Sequence, residues 1–351
     1  MILGKTDEII KAAITAQAAG AGAYGDSGLL APEQADSFID MIMDTSEFLR
    51  ETSYEKRIAV KGTISLLGVS ARNFRKKIEN SNQISGNEVR PVIADVPYET
   101  VGITLGTEIS NDWYRQNIER ENFENHFMSL ISQQIGLDTL DLALNGDTAS
   151  TDPFENINDG WLKRLLAPTG IPAAQRIDGA TLNGGNFTDT YFYELLKALP
   201  RKYFNQGGYK WICSHRTKVK VMEFLRARQT AAGDAALVGN LALNPLSIPF
   251  TNPTGFPDDL VIFGDPKQLM TVWTYNVGMR KTVEGKELVA KDNRFYAWFF
   301  DLDHIVRMPQ SFTILTNVGD VAPVPSTDIT SSQAVLFEKT NELLDEELDQ
   351  V

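Results

Sequence analysis

The chain has 351 residues, a formal net charge of −13, one cysteine and three histidines; with 42% hydrophobic and 23% charged residues it can build two or three compact regions with their own cores. The acidic balance argues against an exposed duplex-gripping protein, which needs a basic face to replace the counterions on phosphate, although it leaves room for one that encloses nucleic acid without gripping it. Cys213 alone makes neither an intrachain disulfide nor a multi-cysteine zinc site, no apolar run approaches bilayer-spanning length, and Asp7 with Glu8 interrupts any signal-peptide core, so a soluble protein made in the cytoplasm is expected.

Residues 7–18 place Ile10, Ala13, Ile14 and Ala18 on one helical stripe. The glycines of AAGAGAYGDSG end that pattern, and Pro32 suits the start of a second helix with Phe38, Met41, Ile42, Thr45 and Phe48 along one face. From about residue 56 the period changes to two. RIAVKGTISLLGV and VRPVIADVPYETVGITLGTEIS read as long strands on either side of a polar, basic tip, SARNFRKKIENSNQISGNE. A single hairpin is marginal in water, so this one is expected to lie against other chains.

A long helix follows. Ser110 or Asn111 can cap it, Asp112 suits its positive first turn, and Asn145-Gly146 closes it. Phe123, Phe127, Leu130, Leu137, Leu140 and Leu144 fall on one stripe, widened by Ile131, Ile135 and Leu142. That face is broader than a coiled-coil seam and suits packing on a sheet, here the strands near 270–308. On this reading Leu137→Asp spoils the subunit, whereas His126→Ala is tolerated.

Residues 148–186 are loop-rich, with Pro153, Pro168, Pro172 and the NGGN turn. An α/β section then runs from the helix FTDTYFYELLKALPRKYF through the buried strand YKWICS and the helix SHRTKVKVMEFLRARQT to the strand-like LALNPLSIPFTNP and DDLVIFGD. KQLMTVWTYNVGMRKTVEG, ELVAKDNRFYAWFFDLDHIVRM and SFTILTNV read as further strands, and residues 333–350 as an amphipathic, acidic tail.

The sequence contains no phosphate-binding loop, zinc-protease helix, nucleophile elbow or strand-linked dinucleotide fingerprint. Three constellations remain. Cys213 and His215 would share a face on a strand as a thiol–imidazole pair, but the apolar run around Cys213 favours a packed thiol. Asp301, Asp303 and His304 have a spacing compatible with part of a metal site, but lack the glycine and distal glutamate of a calcium loop. They read better as the polar end of the strand FYAWFF. His126 has Glu124 two residues away, on a different helical face, and no second histidine four residues on. No catalytic residue, metal or cofactor is expected. The basic tip, Arg72, Arg75, Lys76 and Lys77, can bind nucleic acid or the acidic surface of a neighbouring copy; charge complementarity that orients assembly favours the neighbour.

The order of parts is the strongest signal: N-terminal arm, long hairpin, long helix, loop, α/β domain and a return to long strands. It resembles the major capsid protein of tailed bacteriophages, the Hong Kong 97-type fold. FIDMIMDTSEFLRETSYEKRIAVKGTISL resembles that family's arm leading into its extended loop, and EISNDWYRQNIERENFENHFMSLISQQIGLDTLDLALNGD resembles its spine helix. GNLALNPLSIPF with DDLVIFGDPKQLMTVW, and RFYAWFFDLDHIVRMPQSFTIL, resemble its later segments.

The resemblance implies an α+β fold with an N-terminal arm over 1–55, an extended loop over 56–110, a peripheral domain over 111–186 and 270–308, an axial domain over 187–269 and 309–325, and an acidic tail over 326–351. It implies a non-catalytic subunit that assembles with itself as hexamers and pentamers, around packaged double-stranded DNA bound without sequence specificity. A portal and a separate scaffolding protein are implied partners, since few residues precede the hairpin. The implied location is the virion, after assembly in the bacterial cytoplasm, with no membrane partner. An encapsulin-like cargo shell is the alternative within the fold; a cytosolic Cys/His hydrolase and a DNA-binding module are the alternatives outside it.

Overall fold

A computed structural model describes residues 32–69, 91–116, 123–203, 207–227, 245–282 and 286–321. The helical pattern over 7–18, the hairpin tip with Arg72, Arg75, Lys76 and Lys77, and the tail over 326–351 lie outside the described residues.

Helix α1 (Pro32–Met43) opens on a proline, whose fixed φ and missing N–H suit a first helical turn, and it buries Phe38, Ile39 and Ile42. A short α2 (Glu47–Glu51) leads into β1 (Ser53–Arg57). Strands β2 (Lys61–Val69) and β3 (Pro91–Glu99) form an antiparallel pair in register from Lys61↔Glu99 to Val69↔Pro91. Then come β4 (Val101–Ser110), α3 (Asn111–Gln116), α4 (Phe123–Asn145) and α5 (Trp161–Leu166). The α/β section contains β5 (Arg176–Asp178), α6 (Thr190–Ala198), β6 (Lys210–Cys213), α7 (His215–Ala227), β7 (Phe250–Thr251) and β8 (Val261–Gly264). The chain continues through β9 (Leu269–Thr274), β10 (Gly278–Thr282), α8 (Lys286–Lys291), β11 (Asn293–Val306) and β12 (Thr313–Thr316).

Two five-stranded sheets organise these parts. The first has the order β1-β9-β11-β10, with β4 also paired to β11; the second has the order β5-β12-β8-β6-β7. Period-two burial explains both. On β11, Tyr296, Trp298, Phe300 and Leu302 enter the larger core with Phe127 of α4 and Trp161 and Leu165 of α5, while Ile305 enters a separate cluster on the opposite face. The second sheet is covered on both faces. Ile212, Ile262 and Ile314 join the larger core, and their neighbours Trp211, Cys213, Val261, Phe263 and Leu315 join a second core with Tyr191, Phe192 and Leu195 of α6. Burial on both faces is why YKWICS and DDLVIFGD are continuous apolar runs.

Several sequence expectations change. The second hairpin arm divides at Thr100: β3 pairs with β2, whereas β4 belongs to the first sheet along β11. Residues 269–282 form two strands, and residues 286–291 are a helix turned by Asp292, whose φ is +50°. The loop-rich stretch 148–186 also contains α5, whose Trp161, Leu162 and Leu165 are buried. Helix α4 does end at Asn145, but Gly146 is not left-handed. It is required by close approach, since a Cβ there would lie 2.5 Å from the Asn158 carbonyl oxygen.

The single stripe assigned to α4 also needs correcting. Phe127 packs on Tyr296 and Trp298, with ring centroids 5.5 and 6.5 Å apart, and Leu140 and Leu144 are buried. Leu130 and Leu137 are instead 49% and 45% exposed. The helix meets different partners along its length. Near its middle a Cβ on Gly136 would come 2.7 Å from Thr45, so the chain just after α1 occupies one side there. At its C-terminal end Leu140, Leu142, Ala143 and Leu144 are all buried, more than one face can hold. Phe123 and His126 lie on this helix, but their side chains are outside the described part.

Candidate functional site

The residues that suggested chemistry are not assembled as a reactive centre. Cys213 ends β6 and is buried, whereas His215 begins α7 and is exposed. The fold changes from strand to helix between them, so the shared strand face does not form. Burial pushes the Cys213 thiol up to about 12, and Asn252 Nδ2 donates to its carbonyl at 3.0 Å. A thiol so far from ionisation is a poor nucleophile at neutral pH.

Asp301, Asp303 and His304 have separate structural duties. Asp301 Oδ2 accepts from Thr274 Oγ1 and Asn276 Nδ2, both at 3.0 Å. Asp303, 1% exposed, takes Glu99 N–H on Oδ2 at 3.0 Å; its Oδ1 takes Arg164 Nη2 at 2.6 Å and His304 N–H at 2.8 Å. Burial raises the Asp303 carboxyl above the usual aspartate value, and the Arg164 guanidinium and both N–H groups oppose that shift. His304 is fully buried, 3.3 Å from Thr271 Oγ1 through Nδ1 and edge-on to Trp161 at 5.5 Å, and burial pulls it down to about 3. Among the described residues no His/Cys/Asp/Glu group could hold a metal ion, and no helix is long and apolar enough to cross a membrane.

The remaining features are surfaces. The β2–β3 hairpin forms a two-stranded sheet of its own, and among the described side chains its root packs on the body, through Ile64, Val96 and Tyr98 against Met270, Val272 and Ile305. Thr100 fastens the root by donating N–H and Oγ1 to the Val60 carbonyl at 2.9 and 3.1 Å. Beside the root, Ile58 is 89% exposed on the turn between β1 and β2. A groove of about 530 Å³ lies between α1 and α4, with Met41, Asp44, Arg50, Gln133 and the exposed Leu137 among its lining. Sequence reasoning assigned Leu137 to the core because periodicity reports apolarity, not which partner is present on each side. It also missed Arg164 and Glu99, which bind Asp303 across the fold, since no local spacing connects them.

No family model matches the chain. In sequence it is 27% identical over 216 residues to the putative prophage capsid protein YqbE of Bacillus subtilis, covering 61% of this chain and 66% of that protein, just under two thirds. In fold it is similar to a chain of the satellite phage P4 procapsid with its size-determination protein, at a TM-score of 0.59 and 13% identity, covering 82% of this chain and 92% of that one. It is also similar to a capsid chain of the empty GTA particle, at a TM-score of 0.55 and 13% identity, covering 79% and 90%. A chain of Microbacterium phage Oxtober96 matches at 0.50 and 12% identity, covering 77% and 90%. The class of fold is thereby defined: a mixed α and β fold shared with capsid chains of the P4 procapsid and the GTA particle. Within that class, the chain is a sequence relative of a prophage capsid protein.

Proposed function

We propose that this protein is a major capsid protein, the subunit that assembles with itself into the closed head shell of a phage. The observation that carries the reading is a fold likeness to a procapsid chain over 82% of this chain, joined to 27% sequence identity with a prophage capsid protein. The subunit's physics agrees. Beyond its root, a hairpin with no core of its own gains further burial from a neighbour, and many weak contacts made together raise avidity far above any single one. The buried thiol and the structural use of Asp303 and His304 support a non-catalytic role.

In this reading residues 1–55 are the N-terminal arm and 56–110 the extended loop, corrected so that β4 is part of the body. Residues 111–186 and 270–308 form the peripheral domain with α4 as its spine, and 187–269 with 309–325 form the axial domain near the capsomer centre. Arg72, Arg75, Lys76 and Lys77 contact a neighbouring copy, and Phe127, Leu140 and Leu144 hold the spine to its sheet. Hexamers and pentamers, a separate scaffolding protein and a portal are the partners, and the shell encloses double-stranded DNA that its net negative charge does not grip. Assembly takes place in the bacterial cytoplasm and the product resides in the virion. Sedimentation of the full-length protein expressed in bacteria tests this. Fast-sedimenting particles or capsomers are expected, and a chain that stays monomeric at every concentration, with and without its scaffolding partner, refutes it.

A further inference from the structure

We propose that Asp303 is the positioning residue that sets how the β2–β3 hairpin leaves the subunit body, with Arg164 holding its carboxylate in place. The β4–β11 ladder ends at Val101↔Leu302, and the β2–β3 ladder ends at Lys61↔Glu99, so Thr100 alone separates body from hairpin. Beyond Leu302, β11 pairs with β9 through Val306. Asp303 is the first residue past the end of the β4 ladder. Its side chain replaces the missing strand partner by accepting the Glu99 N–H at 3.0 Å.

The other carboxylate oxygen is fixed from the opposite side. Arg164 Nη2 meets Oδ1 at 2.6 Å, and Arg164 Nε donates to the Asp159 carbonyl at 3.0 Å, so the guanidinium is held at two points. One buried carboxylate thus links α5 to the last paired residue of the hairpin. The Thr100 hydrogen bonds to Val60 join the two arms of the root to each other, and the packing of Ile64, Val96 and Tyr98 against Met270, Val272 and Ile305 is apolar and not directional. Hydrogen bonds to a charged acceptor are directional and stronger than neutral ones, so the take-off angle is set at Asp303. Its consequence for assembly rests on the shell reading, in which the hairpin must reach a neighbour at a defined angle.

Hydrogen exchange on the purified full-length chain tests the joint. Asp303→Asn preserves shape but turns one acceptor into a donor. It is expected to speed exchange at Glu99, Thr100 and the paired amides of β2 and β3 by about tenfold or more, with β6, β8 and the β10–β11 ladder unchanged. Arg164→Met is expected to give the same pattern at smaller amplitude, and it decides the matter if Asp303→Asn fails to fold. Equal acceleration in hairpin and body, or none in the hairpin, overturns the proposal. Where particles form, both variants are expected to broaden the distribution of shell diameters; unchanged diameters overturn the claim for assembly. A chain that never forms particles but shows hairpin-selective exchange refutes the shell reading and supports the joint.

Discussion

His304 and Cys213 illustrate how burial, more than residue type, decides what a side chain does here. His304 titrates near 3 because its charged form is desolvated, well below the ~6.5 of an exposed imidazole. Between those values the unfolded chain binds a proton that the folded chain does not. The contribution of His304 is therefore complete above pH ~6.5 and is lost as pH falls towards 3, with a slope of up to about 1.4 kcal/mol per pH unit. Denaturant unfolding measured from pH 7 to pH 4 is expected to show this slope, and His304→Phe is expected to flatten it. Cys213, pushed up to about 12, is expected to resist alkylation in the native protein at pH 8 and to react only as the chain unfolds. Native labelling as fast as a free thiol's would revive the Cys/His hydrolase reading.

Helix α4 and the hairpin carry the predictions made for whole elements. Leu144 is 1% exposed, so Leu144→Ala is expected to cost about 2–5 kcal/mol. Leu137→Asp, expected from sequence to destroy the subunit, is instead expected to change stability by under about 1 kcal/mol, because the side chain is 45% exposed on a groove wall. Chemical denaturation of both variants checks the order. Shortening the hairpin within β2 and β3 is expected to leave the cooperative unfolding of the body unchanged while abolishing particles, as read by calorimetry and sedimentation. The contrast also locates what the sequence made legible. The strands of β2, β3 and β11 were visible because burial with period two is written locally. The faces of α4 were not, because Thr45, Tyr296 and Trp298 reach it from distant parts of the chain. The Arg164–Asp303–Glu99 link was invisible for the same reason, and α5 was hidden among prolines and glycines because a six-residue helix is too short to establish a period.

At the scale of the molecule, two cores share the second sheet and one hairpin stands outside them. In the shell reading, the hairpin outside those cores is the part that a neighbouring copy would cover. In the shell reading, the net charge of −13 suits a container more than a DNA-gripping surface. Much of the order of helices and strands from α1 to β12 was legible in the sequence, and the fold likeness to a procapsid chain covers 82% of the chain. Electron cryomicroscopy of particles formed by the protein, expressed alone and together with the proposed scaffolding protein, tests the central claim most directly. Closed shells whose density accepts this subunit, with the β2–β3 hairpin lying over an adjacent copy, are the predicted result. A preparation of monomers alone, or particles in which the hairpin touches no neighbour, would contradict the account.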